Sequence, residues 1–259
     1  VEVLEKLAAD PDVETPVPSL IVEYRQLSKL ISTYLVALKD AIDETTRRVH
    51  ATFNQTGAAT GRLSASDPNL QNIPIRTDVG REIRRAFVAE EGNRLVAADY
   101  SQIELRLLAH LADDPALIAA FDQGEDIHTA VAAHLFDVPP DEVSIGQRSS
   151  AKMVNFGIAY GITPWGLARR LGGDTTREEA AQIIEDYKTR FAQIGPFLDE
   201  CVARAMSDGY VETILGRRRA IPQIHARHPS QRALGERMAI NSVVQGLSLI
   251  HISEPTRQK

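Results

Sequence analysis

Leu20, Tyr24, Leu27, Ile31, Tyr34 and Leu38 recur at three- and four-residue intervals. This spacing predicts one long amphipathic helix over 18–40, with an apolar stripe for core or helix-pair packing. Val49, Ala51 and Phe53 then alternate with polar residues, the pattern of a half-buried strand. Gln55 to Ile75 holds Gly57, Gly61, Pro68 and Pro74 among Ser, Thr and Asn, and reads as an irregular segment with no core of its own. Loops of that length are usually functional or disordered.

Leu95-Val96-Ala97-Ala98 predicts a short apolar strand ending on Asp99 and Tyr100, followed at once by the helical pattern Ile103, Leu105, Leu107, Leu108, Leu111. Helices are expected to dominate as far as Asp208. Thr176 with Glu179 forms a capping box, and Pro196 after Gly195 suits a first helical turn. Tyr210 to Leu215, between Gly209 and Gly216, reads as one strand of a hairpin. The fold class expected is α+β and mostly helical.

Composition narrows the function classes only modestly. The chain has 259 residues, 43% hydrophobic and 25% charged, as ordinary globular domains do. It lacks an apolar run of about 18 residues and a signal-like start, so no membrane association and a cytoplasmic location are expected. It opens on Val1 rather than Met, which reads as a truncated or processed start. One cysteine, Cys201, excludes a disulfide framework and a cysteine metal site, and reads as a small buried hydrophobe. The net charge of −6 argues weakly against a nucleic-acid partner, but its distribution is uneven. Ala112 to Gly146 carries eight acids and no Lys or Arg, whereas Arg204 to Arg237 carries seven Arg against three acids.

The most informative segment is RSSAKMVNFGIAYG, Arg148 to Gly161. Arg148, Lys152, Phe156 and Tyr160 lie four residues apart; each step turns a helix about 400°, so they share one face. Two cations followed by two aromatics suit a triphosphate, a sugar and a base, although the spacing alone favours a surface helix with two cations and a buried aromatic pair. Gly157 costs the helix about 1 kcal/mol relative to Ala, which suggests a close approach there. Ser101-Gln102-Ile103-Glu104 has the form of a capping box, with Glu104 returning to the Ser101 amide. Arg237, Asn241 and Gln245 also share one helical face, a cation and two amides suited to the acceptors of the minor groove.

Taken together, LVAADYSQIELR at 95–106, residues 148–161, TGRLSASDPNLQNIPIR at 60–76 and ERMAINSVVQG at 236–246 resemble the motifs of family A (DNA polymerase I type) DNA polymerases. The resemblance covers most of residues 18–246. It implies a right-hand fold of palm, fingers and thumb, acting on a primed DNA template and deoxynucleoside triphosphates, as a monomer. It further implies that Asp99 binds both of two catalytic Mg2+ ions, with the Tyr100 carbonyl as a further ligand. Glu104 becomes a steric gate against the ribose 2′ hydroxyl. Arg148, Lys152 and His128 contact the phosphates, Phe156 underlies the sugar and Tyr160 lies beside the templating base. Phe at 156, without a ring hydroxyl, implies discrimination against dideoxynucleotides. Arg62, Asn69, Gln71, Arg237, Asn241 and Gln245 would contact DNA. By itself, a His placed as His128 is more often a cap or a surface residue.

The resemblance assigns 1–48 to a thumb remnant, 49–110 to a palm segment, 111–209 to fingers and 210–246 to the return into the palm. After Gly246 the pattern breaks off before the second metal-binding Asp of the family. LSLIHISEPTRQK, 247–259, reads as a non-native tail. The expectation is therefore an internal polymerase fragment, inactive alone. Two alternatives stand beside it: a nucleotide- and DNA-binding module without catalysis, and a metal-dependent nuclease using Asp99 and Glu104.

Overall fold

The computed structural model describes residues 2–75, 77–172 and 175–248. Of the expected tail, 249–259 lies outside them. The chain divides into two compact units, Val1–Ala58 with Leu63–Ala98, and Ala59–Arg62 with Asp99–Lys259.

In the first unit, α1 (Glu2–Ala9) packs along α2 (Val17–Leu30), which continues through a π-helical stretch, Ile31–Val36, into α3 (Ala37–Asp40). The helix expected over 18–40 is present, but its stripe is not a core. Leu20, Tyr24, Leu27 and Ile31 are exposed, and only Tyr34 is buried, its hydroxyl donating to the Asn72 carbonyl. The helical period was legible, whereas what covers a stripe depends on neighbours that a period cannot name.

The strand expected around Phe53 forms as β1 (Thr52–Asn54), antiparallel to β2 (Ser64–Ser66), with Phe53 opposite Ala65. Phe53 is exposed rather than half-buried, and Ala65 supplies the buried side. The segment read as irregular thus contains a strand and a 3-10 turn, Leu70–Asn72. Gln71 organises it: its Oε1 accepts from the Ala65 amide at 3.1 Å and its Nε2 donates to the Leu63 carbonyl at 3.1 Å. Asn69 caps the 3-10 turn by accepting from the Gln71 amide. α4 (Asp78–Arg85) follows, capped by Thr77.

The strand expected at 95–100 is absent. Residues 93–100 have no regular structure, and Leu95 and Val96 are 68% and 89% exposed. A strand gains its stability from a ladder and packing neighbours, and both sheets among the described residues are two-stranded hairpins elsewhere in the chain.

The second unit is helical, with α5 (Ile103–Ala112), α6 (Pro115–Asp122), α7 (Ile127–Leu135), α8 (Ile145–Ala159), α9 (Pro164–Leu171), α10 (Arg177–Arg190) and α11 (Ile194–Asp208). The hairpin β3 (Tyr210–Glu212) and β4 (Arg218–Ala220) then leads to α12 (Pro229–Ser248). Leu105, Leu108, Leu117, Ile127, Val154, Ile158, Leu167, Ile194 and Val244 are fully buried and form its core. Each contributes about 1.5–3 kcal/mol by leaving water. The helix ends are chemically specified. Asp114, itself wholly buried, accepts from the Leu117 amide and, through its other oxygen, from the Gln193 amide, tying the start of α6 to the approach to α11. The Thr176–Glu179 capping box closes as expected, with a second box, Ser144 with Gln147, at the start of α8. Gly209 ends α11 in the left-handed region at φ 75°, which favours glycine. Cys201 is buried, and burial pushes its thiol up to about 12, so it serves as packing. No helix among the described residues is long and apolar enough to cross a membrane.

Candidate functional site

The capping box fixes where α8 starts and thereby the rotation of its side chains. Arg148, Lys152, Phe156 and the C-cap residue Tyr160 fall on one face, as the spacing predicts. Phe156 and Tyr160 are stacked, with ring centroids 6.1 Å apart and planes at 21°, and the Lys152 ammonium lies 6.0 Å from the Phe156 centroid. Gly157 is buried, and a Cβ there would lie 3.2 Å from Ile162 Cγ2. The close approach expected at this glycine is therefore that of Ile162.

At the cationic end, Arg148 donates through Nε and Nη2 to Asp126 Oδ2, at 2.9 and 2.6 Å. Asp126 is also the N-cap of α7, accepting from the His128 and Thr129 amides. Burial opposes ionisation of Asp126, but the Arg148 hydrogen bond and the two amides outweigh it and hold the carboxyl below its usual range. His128 is buried rather than a surface residue, its ring 5.6 Å from Phe156 and its Nδ1 hydrogen-bonded to Asn155 Nδ2 at 2.9 Å. Burial lowers it to about 4; Asp126 pulls the other way, and the nearby Arg148 and Lys152 cations assist burial. With the Asn155 amide oriented as a donor, the neutral imidazole accepts on Nδ1.

At the aromatic end, the Tyr160 hydroxyl donates to Glu104 Oε2, and Arg62 Nη2 donates to Glu104 Oε1 at 2.6 Å. Burial, then the hydrogen bond to Glu104 and its charge, raises Tyr160 above its ordinary value, while a hydrogen bond with Gln245 of α12 acts in the opposite sense. Glu104 therefore does not close a capping box with Ser101. Gln102, in the left-handed region at φ 53°, precedes α5, with no side chain capping it. The carboxylate is drawn instead to a guanidinium and a half-buried phenol, both far away in sequence.

Arg62, Glu104, His128, Arg148, Lys152, Phe156, Tyr160 and Gln245 all belong to the second unit, as do Arg237 and Asn241 on α12. Asn241 Oδ1 is buried with no hydrogen-bond partner. Asn69 and Gln71 belong to the first unit, where their side chains are spent on the local turn. Asp99 and Tyr100 lie in the exposed, irregular segment before α5. Among the described residues no three His, Cys, Asp or Glu side chains gather to hold a metal ion. Sequence reasoning missed Asp126 and Asn155. The position of Asp126 just before a helical run was a legible N-cap signal, but its pairing with Arg148 was not. Asn155 carried no signal at all.

The family model for DNA polymerase family A matches residues 1–249. DNA polymerase I of Chloroflexus aurantiacus is 52% identical over 245 residues, 95% of this chain and 25% of that protein. Thermostable DNA polymerase I of Thermus aquaticus is 50% identical over 231 residues, 89% of this chain and 28% of that protein. The chain thus spans about a quarter of the length of these relatives. Among solved structures, the POL domain of Pol1 from M. smegmatis, in complex with DNA primer-template and dNTP, superposes with a TM-score of 0.85 at 43% identity, over 94% of this chain and 42% of that one. The helical second unit and the scarcity of strands agree with a partial polymerase fold. The chain belongs to DNA polymerase family A.

Proposed function

We propose that this chain supplies the nucleotide-binding part of a template-directed DNA polymerase, which transfers a nucleotide from a deoxynucleoside triphosphate to a primer 3′ hydroxyl. The α8 face carries this reading. Two cations one turn apart suit the charges of a triphosphate, and the stacked Phe156 and Tyr160 offer flat apolar surface to a sugar and a base. Arg148 and Lys152 take the phosphates. His128, neutral at physiological pH, contributes a hydrogen bond rather than a charge. Phe156 lies beneath the sugar, its lack of a hydroxyl disfavouring dideoxynucleotides, and Tyr160 sits beside the templating base.

Glu104, fixed by Tyr160 and Arg62, has one role in this proposal, a wall against the 2′ hydroxyl of ribonucleotides. Arg62, Arg237, Asn241 and Gln245, with Asn69 and Gln71, contact primed DNA. Asp99, with the Tyr100 carbonyl, is assigned to a divalent metal site for Mg2+. The described residues do not by themselves complete such a site, because no cluster of three ligands surrounds Asp99. A second reading for the isolated chain, a binding module without catalysis, rests on the same α8 face, whose cations and rings need no metal site to hold a nucleotide. The polymerase is read as a cytoplasmic monomer.

The test is primer extension by the longer protein that carries this sequence. Extension directed by the template and abolished by Asp99→Ala is the expected result. Extension that survives the substitution removes Asp99 from the active site, and no extension by the unsubstituted protein removes the polymerase reading.

A further inference from the structure

Within the second unit, the four residues Ala59–Arg62 group with the chain from Asp99 onwards and meet the β3–β4 hairpin and α12. Arg217 Nη1 donates to the Thr60 carbonyl at 3.0 Å across 157 residues of sequence. Gly61 is buried at φ +83°, and a Cβ on it would lie 1.4 Å from Arg217 Nη1, so the guanidinium occupies the space that any other residue would fill. The hairpin turn fixes Arg217 in its own right. The Arg217 amide donates to Thr213 Oγ1 at 3.2 Å, and the Arg217 carbonyl accepts from the Thr213 amide at 2.9 Å. Thr213 in turn abuts α12, where a Cβ on Gly246 would lie 2.7 Å from Thr213 Cγ2. The next residue along, Arg62, reaches Glu104 Oε1 at 2.6 Å.

We infer that Arg217 is a positioning residue, which pins the Thr60–Gly61 turn to the hairpin and so presents Arg62 to Glu104. A half-buried guanidinium that spends a donor on a backbone carbonyl fixes that carbonyl, and two residues further along the chain follows the side chain that faces the Glu104–Tyr160 pair. Without Arg217 the turn keeps its glycine and gains room, so the Arg62 side chain loses its fixed origin while its own chemistry is unchanged. The consequence for nucleotide insertion rests on the polymerase reading above; the structural coupling between Arg217 and Arg62 does not.

The test uses the 259-residue chain labelled with 13C at tyrosine Cζ, the Tyr160 signal being assigned with Tyr160→Phe. Arg217→Met, which keeps the bulk and removes the donors, should move the Tyr160 signal in the direction and to the extent that Arg62→Ala does. The double variant should move it no further. A Tyr160 signal left in place by Arg217→Met, or shifts that add in the double variant, overturns the inference. Arg217→Lys retains a donor for the Thr60 carbonyl and is expected at the wild-type position, which keeps the question open to measurement if the Met variant does not fold. A Lys variant displaced as far as Arg62→Ala contradicts Thr60 as the anchor. In the longer polymerase, Arg217→Met and Arg62→Ala should each lower insertion efficiency about tenfold, with the double variant no worse than either. If the unsubstituted polymerase does not extend primers, the functional reading fails while the Tyr160 comparison still decides the role of Arg217.

Discussion

The Tyr160 hydroxyl donates to Glu104 across 56 residues of sequence, joining the end of α8 to the first turn of α5. Glu104→Ala leaves the half-buried Tyr160 hydroxyl and the Arg62 guanidinium without the carboxylate, and should destabilise the chain by about 1–2 kcal/mol. Glu104→Gln keeps an acceptor for Tyr160 and should cost about half as much. Urea midpoints of the two variants check this; equal losses would show that the Tyr160 bond contributes nothing. In the longer polymerase, Glu104→Ala should also raise ribonucleotide insertion relative to deoxyribonucleotide insertion.

His128 gives the fold a pH dependence with a definite sign. Its pKa is lowered by burial from 6.5 to about 4, so the unfolded chain binds the proton more readily than the folded one. Stability from this group is complete above pH 6.5 and is lost as the pH falls towards 4, by at most about 3 kcal/mol. His128→Gln should flatten the stability profile in that window. A slope unchanged by the substitution would place the titration elsewhere.

Asp126 competes with any anion for Arg148. Asn is as good an N-cap as Asp, so Asp126→Asn should leave α7 capped while it weakens the pair with Arg148, a partly exposed ion pair worth about 1 kcal/mol or less. With the competing charge gone, deoxynucleoside triphosphate should bind severalfold more tightly, by titration calorimetry at low salt. Weaker binding would mean that Asp126 holds Arg148 in its working pose.

Local signals were legible in the sequence where neighbours decide the outcome. Thr176 and Glu179 close their box because three residues of helix bring them together, and Leu105 and Leu108 are buried because α5 turns both inwards. Glu104 shows the limit. Its spacing from Ser101 suited a cap equally well, and only the fold reveals a guanidinium and a phenol reaching it from residues 62 and 160. Leu95 to Tyr100 fails for the complementary reason, since a strand is made by its partners and the apolar run specifies none. The shared face of α8 was readable because four residues at one spacing need no information beyond helical geometry. The positions of Asp126, Asn155 and Arg217 depend on tertiary contacts.

Gly235 tests the seating of α12, which carries Arg237, Asn241 and Gln245. A Cβ there would lie 2.6 Å from the Ile224 amide nitrogen and 2.7 Å from the Gln223 carbonyl carbon, both backbone atoms. Gly235→Ala should therefore destabilise the chain by about 2 kcal/mol, despite the better helix propensity of Ala. Thermal melts of the two proteins measure it, and a rise in melting temperature would mean that α12 sits further from the 222–225 turn.

The central claim, that the α8 face is a nucleotide site, is tested most directly by equilibrium binding of a deoxynucleoside triphosphate to the purified chain and to its Lys152→Ala variant. Lys152 is exposed, so the substitution spares the fold while removing one cation from the face. Loss of a charge-assisted phosphate contact should weaken binding about tenfold or more, with the gap narrowing as salt is raised. Equal affinity of the two proteins at low salt would mean that the nucleotide does not use this face.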